Sequence, residues 1–188
     1  MDVETLDIAG LLLITPPRHG DQRGFFSEVF RSDLFEAVAG PVTFVQDNVS
    51  RSATKGTIRG LHYQSPPMEQ GKLVRASRGR ILDVAVDVRQ GSPTYGHHVA
   101  VELSDDNWQQ LWVPAGFLHG FCTLTDDVEL SYKVTNRYSA ANDGAVAFDD
   151  PDIGVAWPVS RAEAILSAKD MEAPNLADWR TPFPSKAE

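Results

Sequence analysis

The strongest structural signal in this chain is an alternation of side-chain character with a period of two residues. Residues 80–89 read RILDVAVDVR, in which every second position of 82–88 is Leu or Val. Similar short segments rich in apolar and β-branched residues occupy 98–103, 110–113 and 128–134. A period of two is typical of β-strands, whose successive side chains point to opposite faces. The pattern therefore predicts a mainly β protein, built as a β-sandwich, jelly roll or barrel.

Turn sequences separate these strands and helices are few. Turns are predicted at Gly-Ser-Pro 91–93, Ser-Asp-Asp-Asn 104–107 and Pro-Ala-Gly 114–116. One helix is predicted over 33–38, with Asp33 and Glu36 as a capping box and Gly40 as the stop. No repeat or linker divides the chain. We therefore expect a single domain over 1–188, with a core of about 5–175 and a proline-rich tail over 176–188 that wraps the surface.

The composition limits which partners the protein can bind and which cellular compartment suits it. The 188 residues carry a formal net charge of -9, which disfavours nucleic acid and acidic membranes as partners but permits a small anionic ligand where cations gather. The lone Cys122 cannot form an internal disulfide and fits a reducing compartment. The acidic N-terminus does not resemble a secretory signal, and the apolar run 11–14 is too short to span a membrane. We expect a soluble, cytoplasmic protein.

A histidine flanked by cations is the main chemical feature. Residues 57–64 read TIRGLHYQ and 71–74 read GKLV, so that His62 lies between Arg59 and Lys72. Neutral imidazole can accept a proton near pH 7, and the cations could bind an anionic substrate and stabilise the charge left behind. A lone histidine is more often structural, so the residues alone leave both interpretations open.

The spacing in this segment poses a geometric problem. On an ideal strand Arg59 and His62 point to opposite faces. If both serve one pocket, the backbone must bend between them, and Gly60 is where a bulge is easiest.

Three further segments have two interpretations each. Residues 21–28, DQRGFFSE, could contact a polar ligand through Arg23 and Glu28, but a turn entering a strand explains them as well. The same holds for Gln-Asp-Asn at 46–48. In strand 128–134, Tyr132 shares the apolar parity and should point inward, either as a core residue or as a buried proton donor.

An ordered set of motifs makes the chain resemble a known family. The motifs are the segments 21–28, 46–48, RGLHYQ 59–64, GKLV 71–74, DVAVDVR 83–89, SPTYG 92–96, PAGFLHGF 114–121, Tyr-Lys 132–133 and LSAKD 166–170. Together they closely resemble the dTDP-4-dehydrorhamnose 3,5-epimerase family over about residues 5–175. A PxGxxH motif alone is weak evidence, because it recurs through cupins, but the ordered set is specific.

The resemblance implies a cupin-like jelly roll with a few short helices. It implies a homodimer whose N-terminal strands extend the partner's sheet, a dTDP-4-keto-6-deoxyhexose substrate, and no metal or other cofactor. The implied activity is epimerisation at C3 and C5 through enolate intermediates, on the path to L-rhamnose.

The resemblance also assigns residues. The implied catalytic residues are His62 as base, Asp170 as its orienting carboxylate, Tyr132 as acid on the opposite face and Lys72 beside the keto oxygen. The implied substrate contacts are Arg23, Phe26, Glu28, Gln46, Asn48, Arg59, His119, Tyr138, Asp143 and Lys169, with Tyr138 stacking on thymine. Arg23, Arg59 and Lys169 would gather at the diphosphate. Asp143 stands where the family more often has glutamate, and 167–170 could equally be a helix capping box.

Three alternatives stay open from sequence. The first is an epimerase that acts only at C3 or only at C5 of another dTDP-deoxysugar, or a neighbouring cupin-like enzyme that moves the ketone between C3 and C4. The second is a metal-dependent cupin oxygenase, which is disfavoured because His62-Tyr63-Gln64 lacks the second histidine ligand and Lys72 would repel a dication. The third is a sugar-nucleotide binding module without catalysis.

Overall fold

The computed structural model describes residues 1–184, and strands dominate it. The strands are β1 (Asp2–Thr5), β2 (Leu12–Thr15), β3 (His19–Asp21), β4 (Gly24–Phe26), β5 (Gln46–Ser52), β6 (Ile58–Gln64), β7 (Lys72–Arg78), β8 (Arg80–Asp87), β9 (His98–Ser104), β10 (Gln110–Val113), β11 (Phe117–Thr123), β12 (Val128–Val134) and β13 (Asp143–Ala145). The helices are α1 (Ser32–Ala39), α2 (Ala168–Met171) and a single 3-10 turn, Leu176–Asp178. Neither α-helix in this part of the chain has the length and apolarity to cross a membrane.

Two antiparallel sheets pack face to face. The six-stranded sheet has the order β1-β2-β10-β7-β12-β5, and the five-stranded sheet has the order β13-β6-β11-β8-β9. A separate hairpin pairs β3 with β4. Neighbours in space are mostly distant in sequence, as in a Greek-key arrangement. The predicted cupin-like jelly roll with few helices is confirmed.

The main core fills the space between the sheets. Val74 on β7 and Leu130 on β12 meet Ile81 and Ala85 on β8 there, and all four side chains are almost fully buried. Leu61 on β6 belongs instead to a second buried cluster on the outer face of the five-stranded sheet. Burial on both faces explains why β8 has apolar residues on both parities, Ile81 and Ala85 on one and Leu82, Val84 and Val86 on the other.

The outer faces are covered by α1 and by the C-terminal segment. On the six-stranded sheet, Phe35 of α1 packs edge-on to Trp112. On the five-stranded sheet, Phe183 is buried, and the Trp179 indole N–H donates to the Tyr63 hydroxyl at 2.9 Å. The predicted tail thus wraps the surface as far as residue 184, while its part at 185–188 lies outside the described residues.

The helix prediction was right in position and wrong in its cap. The helix α1 starts at Ser32, one residue before the predicted start, and the N-cap is Arg31, which forms no side-chain capping bond. The Asp33 carboxylate pairs with the Arg31 guanidinium at 2.8 Å instead of capping the helix. Gly40 ends the helix at φ 79°, a conformation that favours glycine.

The predicted bend at Gly60 is present. Along the β6–β11 pairing His62 lies opposite His119 and Arg59 lies opposite Phe121, so one residue of β11 faces two of β6. His119 and Phe121 share a face, and the bulge therefore brings Arg59 and His62 to the same face. Gly60 has φ 122°, and a Cβ there would lie 2.6 Å from Gly120 Cα.

Replacing Gly60 by alanine should lower the free energy of unfolding by about 3 kcal/mol, because strain at positive φ adds to a clash with backbone. Urea denaturation of both proteins measures this loss. Gly24→Ala is the matched control, since Gly24 has φ 131° but a Cβ at that position would meet no atom of residues 1–184 within 4 Å. It should lose only about 1 kcal/mol from strain. Equal losses for the two variants would contradict a tight β6–β11 contact.

Candidate active site

The site is a cavity between the two sheets. It has a volume of about 460 Å³ and is walled by His62 and His119 from the five-stranded sheet and by Lys72 and Tyr132 from the six-stranded sheet. The segment that enters α2 closes one side with Ser167 and Asp170. A second cavity of about 460 Å³ shares His62, Lys72 and Tyr132, so these three side chains lie where the two cavities meet.

The His62 ring is hydrogen-bonded to the Asp170 carboxylate, which in turn accepts a hydrogen bond from Ser167. The Nε2 atom of His62 lies 2.5 Å from Asp170 Oδ1, and the Ser167 hydroxyl donates to Asp170 Oδ2 at 2.7 Å. Ser167 is also the N-cap of α2 and accepts from the Asp170 amide at 3.2 Å. The helix-cap interpretation and the orienting interpretation of Asp170 are therefore both compatible with the geometry.

The environment keeps Asp170 ionised. Burial alone would raise the pKa of this carboxyl, but hydrogen bonds from His62 and Ser167 outweigh burial and lower its pKa. An ionised Asp170 accepts a hydrogen bond from Nε2 of His62. In the neutral ring, the lone pair that can accept a substrate proton is then on Nδ1.

Lys72 is a cation in a poorly solvated position. Burial lowers the pKa of its ammonium from 10.5 to about 8; the charges of Asp83 and Asp143 oppose this effect and that of Lys169 adds to it. Within the β7–β12 pairing Lys72 lies opposite Val134, two residues along from Tyr132 on the same face. The ammonium and the phenol therefore reach the cavity from adjacent strands.

The position of Tyr132 is compatible with both of its interpretations from sequence, as a core residue and as a proton donor. Its ring packs against the main core, and the residue also lines both cavities. Burial raises the pKa of the phenol, with the charge of Arg59 opposing it. A phenol in this position stays protonated at neutral pH and can donate a proton.

Arg59 and His119 complete the first cavity. The Arg59 Nε donates to the Ser52 hydroxyl at 3.2 Å, which fixes the guanidinium at the rim. His119 is buried, and its Nε2 lies 2.9 Å from Asp83 Oδ1. Both side chains, to which the resemblance assigns substrate contacts, line the first cavity.

The second cavity gathers five more of the predicted contacts. They are Gln46, Asn48, Tyr138, Asp143 and Lys169. The Gln46 amide donates to Asn48 at 2.7 Å and accepts from the Tyr138 backbone N–H at 3.1 Å. Lys169 donates to Asp143 at 2.5 Å, and this ion pair joins α2 to β13. The Tyr138 ring is largely exposed at this cavity, where it could stack on a planar ligand.

Three predicted contacts lie elsewhere in the chain. Arg23, Phe26 and Glu28 are on or just after the β3–β4 hairpin and line neither cavity. Arg23 is exposed and pairs with Asp21 at 2.6 Å, and Phe26 is also exposed. The predicted gathering of Arg23 with Arg59 and Lys169 therefore does not occur within one chain, and a substrate role for these three residues stays a prediction.

Sequence patterns give no role to two residues. In the sequence, Ser167 is recognised only as part of a possible helix cap at 167–170. Asp83 is recognised only as part of the DVAVDVR motif at 83–89. A carboxylate on the inward parity of an apolar strand could have singled out Asp83.

Within residues 1–184, no three His, Cys, Asp or Glu side chains are grouped so that they could hold a metal ion.

Comparison with known proteins shows which family the chain belongs to. The model of the dTDP-4-dehydrorhamnose 3,5-epimerase family matches residues 5–178. The chain belongs to this family. An epimerase of this name from Sinorhizobium fredii is 53% identical over 183 residues, covering 97% of this chain and 93% of that protein.

Solved structures of the epimerase family share the fold. One of them is the 3,5-epimerase of Legionella pneumophila in complex with dTDP-4-keto-L-rhamnose. It superposes with a TM-score of 0.92 at 40% identity and covers 100% of this chain and 99% of that one. A more distant relative, the dTDP-4-dehydrorhamnose 3-epimerase of Streptomyces niveus, is 36% identical over 181 residues, with 96% of this chain and 86% of that protein covered. The relatives thus include enzymes named for one centre and enzymes named for two.

The Ser167→Ala variant should raise the pKa of Asp170 and lower the free energy of unfolding by about 1 kcal/mol, because the helix loses its cap and the carboxylate loses a donor. Carboxyl ¹³C NMR titration and urea denaturation measure the two effects. Ser160→Ala is the control, because the Ser160 hydroxyl bonds Glu163 in the same way at 2.7 Å on the surface. A titration of Asp170 that is the same in both variants would contradict the role of Ser167.

Proposed function

We propose that this protein epimerises C3 and C5 of dTDP-4-keto-6-deoxy-D-glucose, yielding dTDP-4-keto-L-rhamnose without a cofactor. The observation that carries the proposal is that three groups line one cavity from two facing sheets. They are a base (His62), a cation (Lys72) and a phenol (Tyr132). Family membership indicates the class of substrate, and the arrangement of these three groups supports proton transfer beside a ketone.

His62 is the proposed base. A hydrogen on a carbon beside a ketone is acidic because its loss leaves an enolate whose charge rests on oxygen. The imidazole Nδ1 takes that proton, and ionised Asp170 stabilises the imidazolium that results. General-base catalysis of this kind contributes about 10²- to 10⁴-fold in rate.

Lys72 is the proposed partner of the keto oxygen. Its ammonium stabilises the developing oxyanion in a water-poor cavity, where one such contact contributes about 3 to 4 kcal/mol to transition-state stabilisation. Only the protonated amine can do this. Because burial lowers the pKa of Lys72 to about 8, the active form is complete below that pH and is lost as the pH rises through it.

Tyr132 is the proposed acid on the other side of the sugar. The phenol approaches from the six-stranded sheet and His62 approaches from the five-stranded sheet. If the base removes a proton from one face and the phenol returns one to the opposite face, the carbon is inverted. Both carbons that flank the ketone are acidic for the same reason, so one site can act on C3 and on C5.

The second cavity is the proposed site of the nucleotide. Gln46 and Asn48 present amide groups suited to a thymine edge, and Tyr138 presents a ring for stacking. Lys169 in the second cavity and Arg59 in the adjoining first cavity supply positive charge for the diphosphate. The global charge of -9 makes these local cations necessary for an anionic substrate.

Incubation with dTDP-4-keto-6-deoxy-D-glucose in deuterated water tests the reaction. Mass spectrometry and NMR of the product should show one deuteron at C3 and one at C5. A single deuteron would instead indicate a one-centre epimerase of another deoxysugar. His62→Asn should slow incorporation at least about a hundredfold while retaining substrate binding, and His97→Asn, at a histidine outside both cavities, should not. Equal rates for the two variants would remove His62 from its role.

The proposal extends to a cytoplasmic homodimer. The strands β1 and β5 are the edges of the six-stranded sheet, and β1 is exposed along its whole length. Val3 on β1 and Val49 on β5 are exposed apolar side chains at these edges. Open strand edges with apolar side chains favour pairing with another chain.

Light scattering on the purified protein should give twice the mass of one chain. Val3→Lys places a charge on the exposed edge and should shift the protein towards the monomer. Val38→Lys is the control, because Val38 is exposed on α1 and away from both edges. A single-chain mass at micromolar concentration would contradict the homodimer.

A further inference from the structure

A second histidine–carboxylate pair lies beside the first, on neighbouring strands of the same sheet. Asp83 on β8 has no exposed side-chain surface, and its Oδ1 accepts from His119 Nε2 at 2.9 Å. Its other oxygen, Oδ2, is buried and has no hydrogen-bonding partner among residues 1–184. A buried carboxylate that is only half paired is costly unless a positive charge lies nearby.

The fold directs this carboxylate towards the cavity. Asp83 lies opposite Phe121 in the β8–β11 pairing, and Phe121 is one of the cavity walls. Ala85, two residues from Asp83 on the same face of β8, belongs to the core between the sheets. Asp83 therefore points between the sheets, towards the layer that Lys72 enters from the opposite side.

Other carboxylates near the cavity are already engaged. The ionisable groups lining the two cavities are Arg59, His62, Tyr63, Lys72, His119, Tyr132, Tyr138, Asp143, Lys169 and Asp170. Asp143 is paired with Lys169 at 2.5 Å, and both oxygens of Asp170 have partners in His62 and Ser167. Asp83 differs from both in keeping a buried oxygen without a partner within the described residues.

The charges that act on Lys72 point to the same residue. Burial is the largest influence on the pKa of the ammonium and lowers it, and among the charges that oppose this effect Asp83 is the strongest. Asp143 acts in the same direction more weakly, and Lys169 acts against it. The effects of Asp143 and Lys169 on Lys72 partly cancel because their charges are opposite and lie together.

We propose that Asp83 is a positioning residue that acts through its neighbours: its buried charge keeps Lys72 in the ammonium form and its Oδ1 holds the ring of His119. This inference rests on the proposed function, in which the Lys72 ammonium faces the keto oxygen. It gives the half-paired carboxylate a role that packing alone does not explain. Asp83 itself lines neither cavity, so it is not assigned a contact with the reacting atoms.

The test is the Asp83→Asn variant, which keeps the shape and an oxygen acceptor for His119 but removes the charge. In the wild-type protein kcat/KM should fall as the pH rises through about 8. In Asp83→Asn that alkaline limb should move to lower pH by about one pH unit, since one nearby opposite charge is lost. Asp150→Asn is the matched control, because Asp150 is also buried but bonds backbone amides outside both cavities.

A direct titration separates this inference from the proposed function. The NMR signal of the Lys72 side chain, identified by its loss in Lys72→Met, should titrate at lower pH in Asp83→Asn and stay unchanged in Asp150→Asn. If the signal shifts in this way but the wild-type protein epimerises nothing, the proposed function fails while the link between Asp83 and Lys72 holds. If both the signal and the alkaline limb are unchanged in Asp83→Asn, the inference is overturned. Should Asp83→Asn not fold, Asp83→Ser, which is smaller and also uncharged, takes its place.

Discussion

The close approach of β6 to β11 at Gly60 is the constraint from which the site follows. A regular strand cannot present residues three apart on one face, yet Arg59 and His62 both reach the cavity. The extra residue at the bulge restores a common face, and it requires a position without a Cβ against Gly120. Once β6 is bent, His62 faces Lys72 and Tyr132 across the gap between the sheets. The other residues of the site then act by orienting these three groups or by setting their charge.

Polar groups in the interior of the sandwich are arranged in two supported pairs. Asp170 supports His62, and Asp83 supports His119. Within residues 1–184 the first carboxylate has a partner for both oxygens and the second has a partner for one, a difference that matters because the half-buried amine of Lys72 lies in the same cavity. In a medium of low polarity, charges act over longer distances than in water, so a carboxylate behind the wall still influences a group inside it. The walls of the cavity therefore affect its chemistry as well as its shape.

Much of the fold could be predicted from the sequence, because the period-two signal is local. The strands Gln110–Val113 and Val128–Val134 were predicted at their observed bounds, and the bulge at Gly60 followed from simple strand geometry. The cap of α1 was wrong because Arg31 competes for the Asp33 carboxylate, which a sequence pattern does not reveal. In the site, local motifs located His62 and Lys72. They could not show that Asp83 lies behind the wall, since that depends on how distant strands pair. The hairpin with Arg23 is likewise placed by contacts that no local pattern encodes.

The His62–Asp170 contact joins residues that are 108 positions apart in the chain. Both sheets are complete by residue 145, and the segment with Ser167 and Asp170 docks onto them afterwards in chain order. A nascent chain in which only the sandwich has formed thus has the two walls that the sheets supply, but the side that Ser167 closes is open and its imidazole lacks the carboxylate that orients it. The order of synthesis therefore places the two sheets before the completion of the base, because the segment that prepares the histidine for proton transfer is made after both of them.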